Sequence, residues 1–171
     1  MKYIHKAGDF VTYRHNGICK ITDIQTLSFG GTDKRDYYRL SPIYDEKTEI
    51  FVPTDSVELV VQMRHVLNRE EIDEIIESTD SENGVEWVDN TKERSKIYGE
   101  IIEGGDRTKI LCIIKILSLY EKELEGTKKR LYATDKALLN QAQKIITEEF
   151  AFVLGINWEE VIPYILQKKG L

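Results

Sequence analysis

The side chains best suited to catalysis lie far apart along this sequence. Cys19 and His15 are the nearest thiol and imidazole, and they could act together as a nucleophile and its base. Such a pair also needs a third group that orients the base, and none is evident nearby. Two residues of one short hairpin more often pack against each other. We therefore expect Cys19 and His15 to be structural.

Adjacent carboxylates occur at Glu70-Glu71 and at Glu148-Glu149. Neighbouring positions of a helix point in different directions, so neither pair converges on one substrate atom. The sequence has no glycine-rich phosphate loop followed by Lys-Ser or Lys-Thr, no Gly-x-Ser-x-Gly and no His-Glu-x-x-His. Its two cysteines and three histidines are too scattered for a familiar metal-ligand set. These observations predict no enzyme activity, no metal, no cofactor and no small-molecule substrate.

The remaining candidates are residues that could bind nucleic acid or a partner protein. Lys128-Lys129-Arg130 is a tight basic triplet, which is either a solvated loop or a phosphate contact. Trp87 follows a flexible acidic stretch and precedes a helix start at Asn90, so it is either a core anchor or a wedge held out for a partner. Residue types alone favour the core anchor, although apolar side chains can also enter the minor groove of DNA. Trp158 is expected to pack on the helices.

The distribution of charge limits what the protein can bind. The 171 residues carry a formal net charge of −6, and the acid is concentrated in residues 71–105. An acidic chain argues against broad phosphate binding, so any DNA contact must be local or assisted by a partner. No apolar run approaches the roughly 18 residues of a membrane span, and the first residues lack the apolar stretch of a signal peptide. We expect a cytoplasmic protein without membrane contact.

The first sixty or so residues alternate between apolar and polar side chains, as short strands do. Asn16-Gly17 supplies a turn whose residues accept positive φ, and Gly30-Gly31-Thr32-Asp33 supplies another. Five short strands in so small a span predict a strongly curved barrel of the SH3 or Tudor kind. The predicted strands are residues 9–13, 18–24, 37–40, 49–52 and 57–60.

After residue 61 the pattern becomes helical. Asn68 and Glu71 match a capping box, and Asn90 and Asn157 each begin a similar pattern. Glycines at 105 and 155 are placed to end helices, and residues 78–84 form a polar connection. The sequence therefore predicts an α+β protein of two domains, residues 1–62 and 66–171, the second an all-α bundle of about five helices. The widest apolar face belongs to Ile110, Ile113, Ile114 and Leu117.

Segments of both domains follow one another in a recognisable order. They are Gly8-Asp9-Phe10-Val11-Thr12-Tyr13, Asn16-Gly17-Ile18-Cys19-Lys20-Ile21, Tyr37-Tyr38-Arg39-Leu40, Phe51-Val52-Pro53, residues 63–71, Trp87, Gly105-Asp106 and residues 135–154. Their order and spacing, over nearly the whole chain, resemble the CarD/CdnL family of bacterial transcription regulators. The resemblance implies a barrel that docks on the RNA polymerase β subunit, and hence a nucleoid-associated protein.

The resemblance also assigns residues to two interfaces. A tryptophan at the position of Trp87 would enter the minor groove at the upstream edge of the melted promoter and modulate open-complex stability. The resemblance implies DNA contacts at Trp87, Lys92 and Lys136, and polymerase contacts at Leu27, Ile50 and Phe51. The basic triplet adds Lys128, Lys129 and Arg130 to the expected DNA contacts.

The residues that depart from the family pattern leave one alternative function open. Asp89-Asn90 stands where relatives carry arginines, and Gln141 replaces a basic residue. The protein could instead be a polymerase-bound adaptor that recruits another protein through its helical domain and makes no DNA contact.

Overall fold

A computed structural model describes residues 2–31, 33–79 and 84–170 of the chain. The chain divides into two compact units, Met1–Val66 and Leu67–Leu171, and each has its own hydrophobic core. The first unit is a sheet and the second is helical, so the predicted α+β class is confirmed. Within the described ranges, no helix is long and apolar enough to cross a membrane.

The first unit contains an antiparallel sheet of five strands, β1 (Phe10–Tyr13), β2 (Ile18–Leu27), β3 (Arg35–Pro42), β4 (Ile50–Pro53) and β5 (Met63–His65). Their order in the sheet is β4-β3-β2-β1-β5. Among the described residues, β4 and β5 are the two edges and no pairing joins them, so the predicted barrel is an open sheet. A bulge between Ile21 and Asp23 interrupts the regular register of β2 with β3.

The predicted hairpin of β1 and β2 is confirmed, with Thr12 opposite Ile18. Its connection is one 3₁₀ turn, Arg14–Asn16, followed by Gly17 at φ 67°. Glycine suits this position because it has no side chain to clash at positive φ. Cys19 follows on β2 and is fully buried, and this burial raises the pKa of its thiol to about 12. Thr32, in the second predicted turn, lies outside the described residues.

The predicted fifth strand at residues 57–60 is wrong, because this segment forms a short helix, α1 (Val57–Val60). Leu59 and Val60 both pack against the core of the first unit. Consecutive residues of a strand point to opposite faces, whereas those of a helix are about 100° apart and can share one face. The fifth strand comes slightly later, at Met63–His65, and pairs with β1.

The second unit contains the five predicted helices, and their capping residues were readable from the sequence. Asn68 accepts a hydrogen bond from the Glu71 amide at 2.9 Å, and its own amide donates to the Glu71 carboxylate at 2.8 Å. Asn90 accepts from the Glu93 amide at 3.0 Å. The helices are α2 (Arg69–Ser78), α3 (Thr91–Gly104), α4 (Arg107–Leu124), α5 (Ala133–Leu154) and α6 (Trp158–Lys168).

Helix α4 is largely buried, as its wide apolar face predicts, but α5 is the helix that packs against all four others of this unit. Gly105, at φ 71°, ends α3, and Asp106 immediately caps α4 by accepting from the Lys109 amide at 3.2 Å. The second cysteine, Cys112, is also buried, on α4. Residues 80–83, in the predicted connection after α2, lie outside the described residues. The buried face of α4 consists of Ile110, Leu111, Cys112, Ile113, Ile114 and Leu117.

Candidate functional site

Trp87 lies in an irregular segment just before α3. Val85 and Val88, on either side of it, pack against the helical core. Trp87 itself keeps 38 % of its surface exposed. The segment is thus anchored by its valines while the indole is partly presented to solvent, so Trp87 is not the buried core anchor that residue types alone favoured.

Three side chains hold the indole in place. The guanidinium carbon of Arg94 lies 4.3 Å from the centre of the Trp87 ring, over its face. The ring of Tyr120, on α4, lies 4.6 Å away, centre to centre, at an interplanar angle of 51°. The indole N–H donates to the Asp89 carboxylate at 2.9 Å. Cation–π and aromatic contacts of this kind each contribute about 0.5–1.5 kcal/mol, so the exposed side chain is well fixed.

Arg94 is almost fully buried, with 1 % of its side chain exposed. Its Nε donates to one oxygen of Asp135 at 3.0 Å and its Nη2 to the other at 2.5 Å. Its Nη1 donates to the backbone carbonyls of Val88 at 2.5 Å and Asp89 at 3.2 Å. The hydrogen bonds to Asp135 raise the pKa of Arg94 against the opposing effect of burial. A charged arginine therefore joins α3 to α5 beneath the Trp87 segment.

Asp89 and Asn90, which depart from the family pattern, have local structural partners. Asp89 accepts the indole N–H of Trp87, and Asn90 caps α3. Both side chains therefore orient the segment that carries Trp87, whatever their effect on a nearby phosphate. Sequence reasoning predicted the Asn90 cap but missed the hydrogen bond between Trp87 and Asp89, because a tryptophan N–H and a carboxylate two residues later leave no periodic signal.

Most of the predicted basic residues lie around one hollow. Lys128, Lys129, Arg130 and Lys136 all line an open cavity of about 690 Å³ at the connection between α4 and α5. Lys136 donates to Glu121 at 2.6 Å, and Glu121 lines the same cavity. The neighbouring residue of Glu121 is Tyr120, which contacts Trp87. Consecutive residues of α4 thus contact the indole and line the basic cavity, with their side chains about 100° apart around the helix.

Lys92 lines a separate hollow. It lies in the first turn of α3, where an open cavity of about 500 Å³ is also lined by Lys96 and three hydroxyl side chains. Two ammonium groups beside hydroxyl donors are chemically suited to a phosphate oxygen. The predicted DNA residues therefore form two basic groups, and Lys92 is close in sequence to Trp87. The hydroxyls belong to Thr91, Ser95 and Thr134.

The predicted polymerase residues occupy different faces of the sheet. Phe51 lies opposite Arg39, on the face away from the core. Leu27 lies opposite Arg35, and because Arg35 and Arg39 are four residues apart on β3, Leu27 lies on the same face as Phe51. Ile50 instead packs against the core of the first unit. It can therefore contribute mainly the backbone of the edge strand β4.

Phe29 is a neighbour of this face that sequence reasoning missed. It is 47 % exposed, and its ring lies 5.1 Å from Tyr37 and 5.6 Å from Phe51, centre to centre. A phenylalanine directly before Gly30-Gly31 is a weak signal that a loop carries an exposed aromatic side chain. Together Phe29, Phe51 and Leu27 are named here the aromatic face.

Two family models match the chain over most of its length. The model of the CarD-like/TRCF RID domain matches residues 5–67, and the model of the CarD C-terminal domain matches residues 72–165. The chain belongs to the CarD family. No curated protein matches it significantly.

CarD-family membership makes this protein an RNA-polymerase-interacting regulator of transcription, as the resemblance implied. The aromatic face belongs to the part that matches the CarD-like/TRCF RID domain, and Trp87 belongs to the part that matches the CarD C-terminal domain. CarD-like families are non-catalytic regulators. In the described parts of the chain, no group of three or more His, Cys, Asp or Glu side chains could hold a metal ion.

Proposed function

We propose that this CarD-family protein docks on the β subunit of RNA polymerase and contacts promoter DNA at the upstream edge of the melted region. The observation that carries the DNA contact is Trp87, a large apolar side chain that is 38 % exposed yet fixed by Arg94, Tyr120 and Asp89. Apolar side chains held in this way can enter the minor groove and support a partly unstacked base step. The protein would thereby modulate the stability of the open complex.

The mechanism requires only a difference in affinity. Closed and melted promoter DNA are two states, and a protein that binds the melted form more tightly shifts the population toward it. A side chain that covers an unstacked base step has this preference. Docking on polymerase raises the local concentration of the helical unit, so a weak DNA contact can suffice. An acidic protein can act on DNA in this way.

Phosphate contacts would come from the two groups of basic residues that line the cavities described above. Lys92 begins α3, and the cavity at the connection of α4 and α5 carries Lys128, Lys129, Arg130 and Lys136. Such contacts position a protein on DNA without reading its sequence, and they weaken as salt rises. Lys136 would share its ammonium between Glu121 and a phosphate.

Docking on the β subunit would use the aromatic face and the β4 edge. Leu27, Phe29 and Phe51 offer apolar contact area, and β4 is an edge strand in the described sheet. A strand of the partner can pair with such an edge, where backbone hydrogen bonds give affinity and alternate side chains give specificity. Ile50 would contribute through its backbone.

The DNA contact is tested by measuring open-complex lifetime with the organism's own polymerase. We expect the wild-type protein to lengthen the lifetime and Trp87→Ala to lose that effect. Trp158→Ala is the matched control, because Trp158 is the other tryptophan of the chain, is 50 % exposed and lies on α6. An equal lifetime with wild type and with Trp87→Ala, both bound to polymerase, would reject the DNA contact.

The docking surface is tested with the purified β subunit. We expect Phe51→Ala to weaken binding at least tenfold, because it removes an aromatic contact on the docking face. Val57→Ala is the control, since Val57 is 82 % exposed on α1 and is no part of the aromatic face. Equal loss of binding in both variants would show that the aromatic face is not the specific site.

A second candidate function is an adaptor that binds polymerase and recruits another protein. The observation that favours it is that the indole is partly covered: Arg94 lies on one ring face, and Asp89 both accepts from the N–H and places a carboxylate at the site. An adaptor would bind polymerase normally and leave the open-complex lifetime unchanged with both wild type and Trp87→Ala.

A further inference from the structure

We propose that Arg94 is a positioning residue that, held by Asp135, fixes Trp87 in the orientation in which it meets DNA. Because the contact of Trp87 with DNA is itself the proposed function, the biological role of Arg94 rests on that function. The positioning is nevertheless a property of the protein alone. It is therefore testable without polymerase or DNA.

The first observation is how Arg94 uses its N–H groups. A guanidinium has five N–H donors in one rigid plane. On one side the Asp135 carboxylate accepts two of them, at 3.0 and 2.5 Å. On the other side the carbonyls of Val88 and Asp89 accept from Nη1. Asp135 thus fixes the plane of the guanidinium, and the guanidinium fixes the two carbonyls that follow Trp87.

The second observation is that the backbone is also held before Trp87. The hydroxyl of Tyr98, a fully buried residue of α3, donates to the carbonyl of Glu86 at 2.8 Å. The carbonyls on both sides of Trp87 are therefore bound by side chains of the same helix. This arrangement restricts the backbone from which the indole projects.

The third observation is the direct contact with the indole. The guanidinium carbon of Arg94 lies 4.3 Å from the ring centre, so the same planar group that holds the backbone also supports one ring face. Tyr120 restricts the ring further, with its centre 4.6 Å away. The indole thus packs on Arg94 and Tyr120, and 38 % of the Trp87 surface stays exposed.

A role in stability alone would not require this arrangement. Well-packed apolar residues often replace a buried ion pair without loss of stability. They could not donate to the carbonyls of Val88 and Asp89. A lysine would keep the charge, but its single ammonium cannot bind both oxygens of Asp135 and both carbonyls while lying flat on a ring. Arg94→Lys therefore separates charge from positioning.

The chain offers a matched control for this substitution. Arg107 on α4 also forms a buried ion pair with α5, donating to the two oxygens of Glu149 at 3.0 and 2.9 Å. The described contacts of Trp87 do not include Arg107. Arg107→Lys therefore perturbs a similar ion pair in the same unit without touching the indole.

The experiment is time-resolved fluorescence anisotropy of the full chain. Trp158→Phe is the reference background, because it leaves Trp87 as the only tryptophan. We expect the amplitude of the fast local depolarisation to rise at least twofold with Arg94→Lys and to stay unchanged with Arg107→Lys. An Arg94→Lys chain that keeps its helical circular dichroism and the reference amplitude would overturn the proposal, as would an equal rise in both variants.

Open-complex lifetime then separates this proposal from the proposed function. If Trp87→Ala shortens the lifetime and Arg94→Lys shortens it at least threefold relative to Arg107→Lys, both stand. If Trp87→Ala shortens it and Arg94→Lys does not, the orientation set by Arg94 is not the one in which Trp87 meets DNA, so the proposal is overturned while the DNA contact stands. If Trp87→Ala has no effect, the DNA contact fails, and the anisotropy still decides whether Arg94 orients the indole.

Asp135→Glu keeps the proposal testable if Arg94→Lys does not fold. This variant retains the ion pair but moves the carboxylate by one methylene, which displaces the guanidinium from its present plane. We expect the fast depolarisation of Trp87 to increase. An unchanged amplitude in the folded Asp135→Glu chain would overturn positioning through the Arg94–Asp135 pair.

Discussion

Asp135 near one end of α5 and Glu149 near the other each accept two hydrogen bonds from an arginine whose side chain is at most 10 % exposed. The pair at the first end is Arg94–Asp135, and the pair at the second is Arg107–Glu149. Both join α5 to another helix of the same unit, and both carboxylates are at most 1 % exposed. By composition and geometry the two ends are closely similar.

The ends differ in what the paired groups contact next. Glu149 also accepts a hydrogen bond from the amide of Leu67, at 3.2 Å, and so holds the first residue of the helical unit. Arg94 instead continues to the carbonyls after Trp87 and to the indole face. The same kind of ion pair therefore secures the start of a unit at one end and orients an exposed side chain at the other.

The largest expected effect is from removing Glu149. Glu149→Ala leaves the buried Arg107 without its carboxylate, a change that costs about 3–5 kcal/mol of unfolding free energy. The amide of Leu67 loses its acceptor as well, which places the loss in the upper part of that range. Urea denaturation measures it, with Glu123→Ala on the surface of α4 expected to stay within about 0.5 kcal/mol of wild type. A loss below about 1 kcal/mol would show that the pair does not act as described.

Removal of Asp135 is expected to cost slightly less stability but to have a further effect. Asp135→Ala should lower the unfolding free energy by about 3 kcal/mol, because it leaves Arg94 buried without its carboxylate. It should also shift the emission of Trp87 to longer wavelength, since the guanidinium no longer has a fixed position under the ring. Glu149→Ala, compared while folded, should leave that emission unchanged. If Asp135→Ala and Glu149→Ala shift the emission of Trp87 equally, the proposed difference between the two ends of α5 is wrong.

The helix caps Asn90 and Asn68 allow the same comparison between the two regions, with a smaller loss of unfolding free energy. Asn90→Ala and Asn68→Ala should each lower the unfolding free energy by about 1 kcal/mol, because each leaves a helix amide without its acceptor. Only Asn90→Ala should also increase the local motion of Trp87, since Asn90 caps α3 three residues after Trp87. Asn90→Asp retains an acceptor and should restore both properties. Fluorescence anisotropy and urea denaturation on the three variants check this.

The smallest expected effect concerns Glu148, the neighbour of Glu149. Burial raises the pKa of Glu148, which Lys144, 3.9 Å away, only partly counteracts. A raised folded-state pKa means that the stability contributed by this carboxyl is present below its unfolded pKa, about 4.3, and is lost as pH rises through its folded pKa.

Glu148→Gln should remove the loss of stability that wild type shows as pH rises through the folded-state pKa of Glu148. Its unfolding free energy should exceed that of wild type at pH 7, and the excess should shrink as pH falls toward about 4. Glu149→Gln is the comparison, and it should lower stability at pH 7 because Arg107 loses a charged partner. A difference between Glu148→Gln and wild type that is constant with pH would contradict the assigned cause.

The sequence predicted the features that depend on local chemistry. The caps at Asn68 and Asn90 were readable because a side-chain acceptor and a glutamate three residues later form a local pattern. The apolar face of α4 was readable from its period. Residues 57–60 were misread because two of the four are valine, which favours strands, whereas the structure packs Leu59 and Val60 on one side of a helical turn.

The contacts that hold the candidate site were not readable. Arg94 and Asp135 are 41 residues apart in sequence and lie on helices, where charged residues usually face solvent. Nothing local distinguishes them from the other charged residues of α3 and α5. The position of Trp87 could be proposed only from a family resemblance, because its exposure depends on Arg94, Tyr120 and Asp89 together.

The burial of the two cysteines gives the protein selective surface chemistry. Maleimides react with thiolates, and Cys19 is fully buried with a pKa of about 12, while Cys112 lies inside α4's apolar face. The folded native chain should therefore be almost inert to such reagents. A single cysteine introduced at Lys92 can carry a DNA-cleaving chelate without removal of either native thiol, and the cut positions on a promoter would report directly where α3 lies.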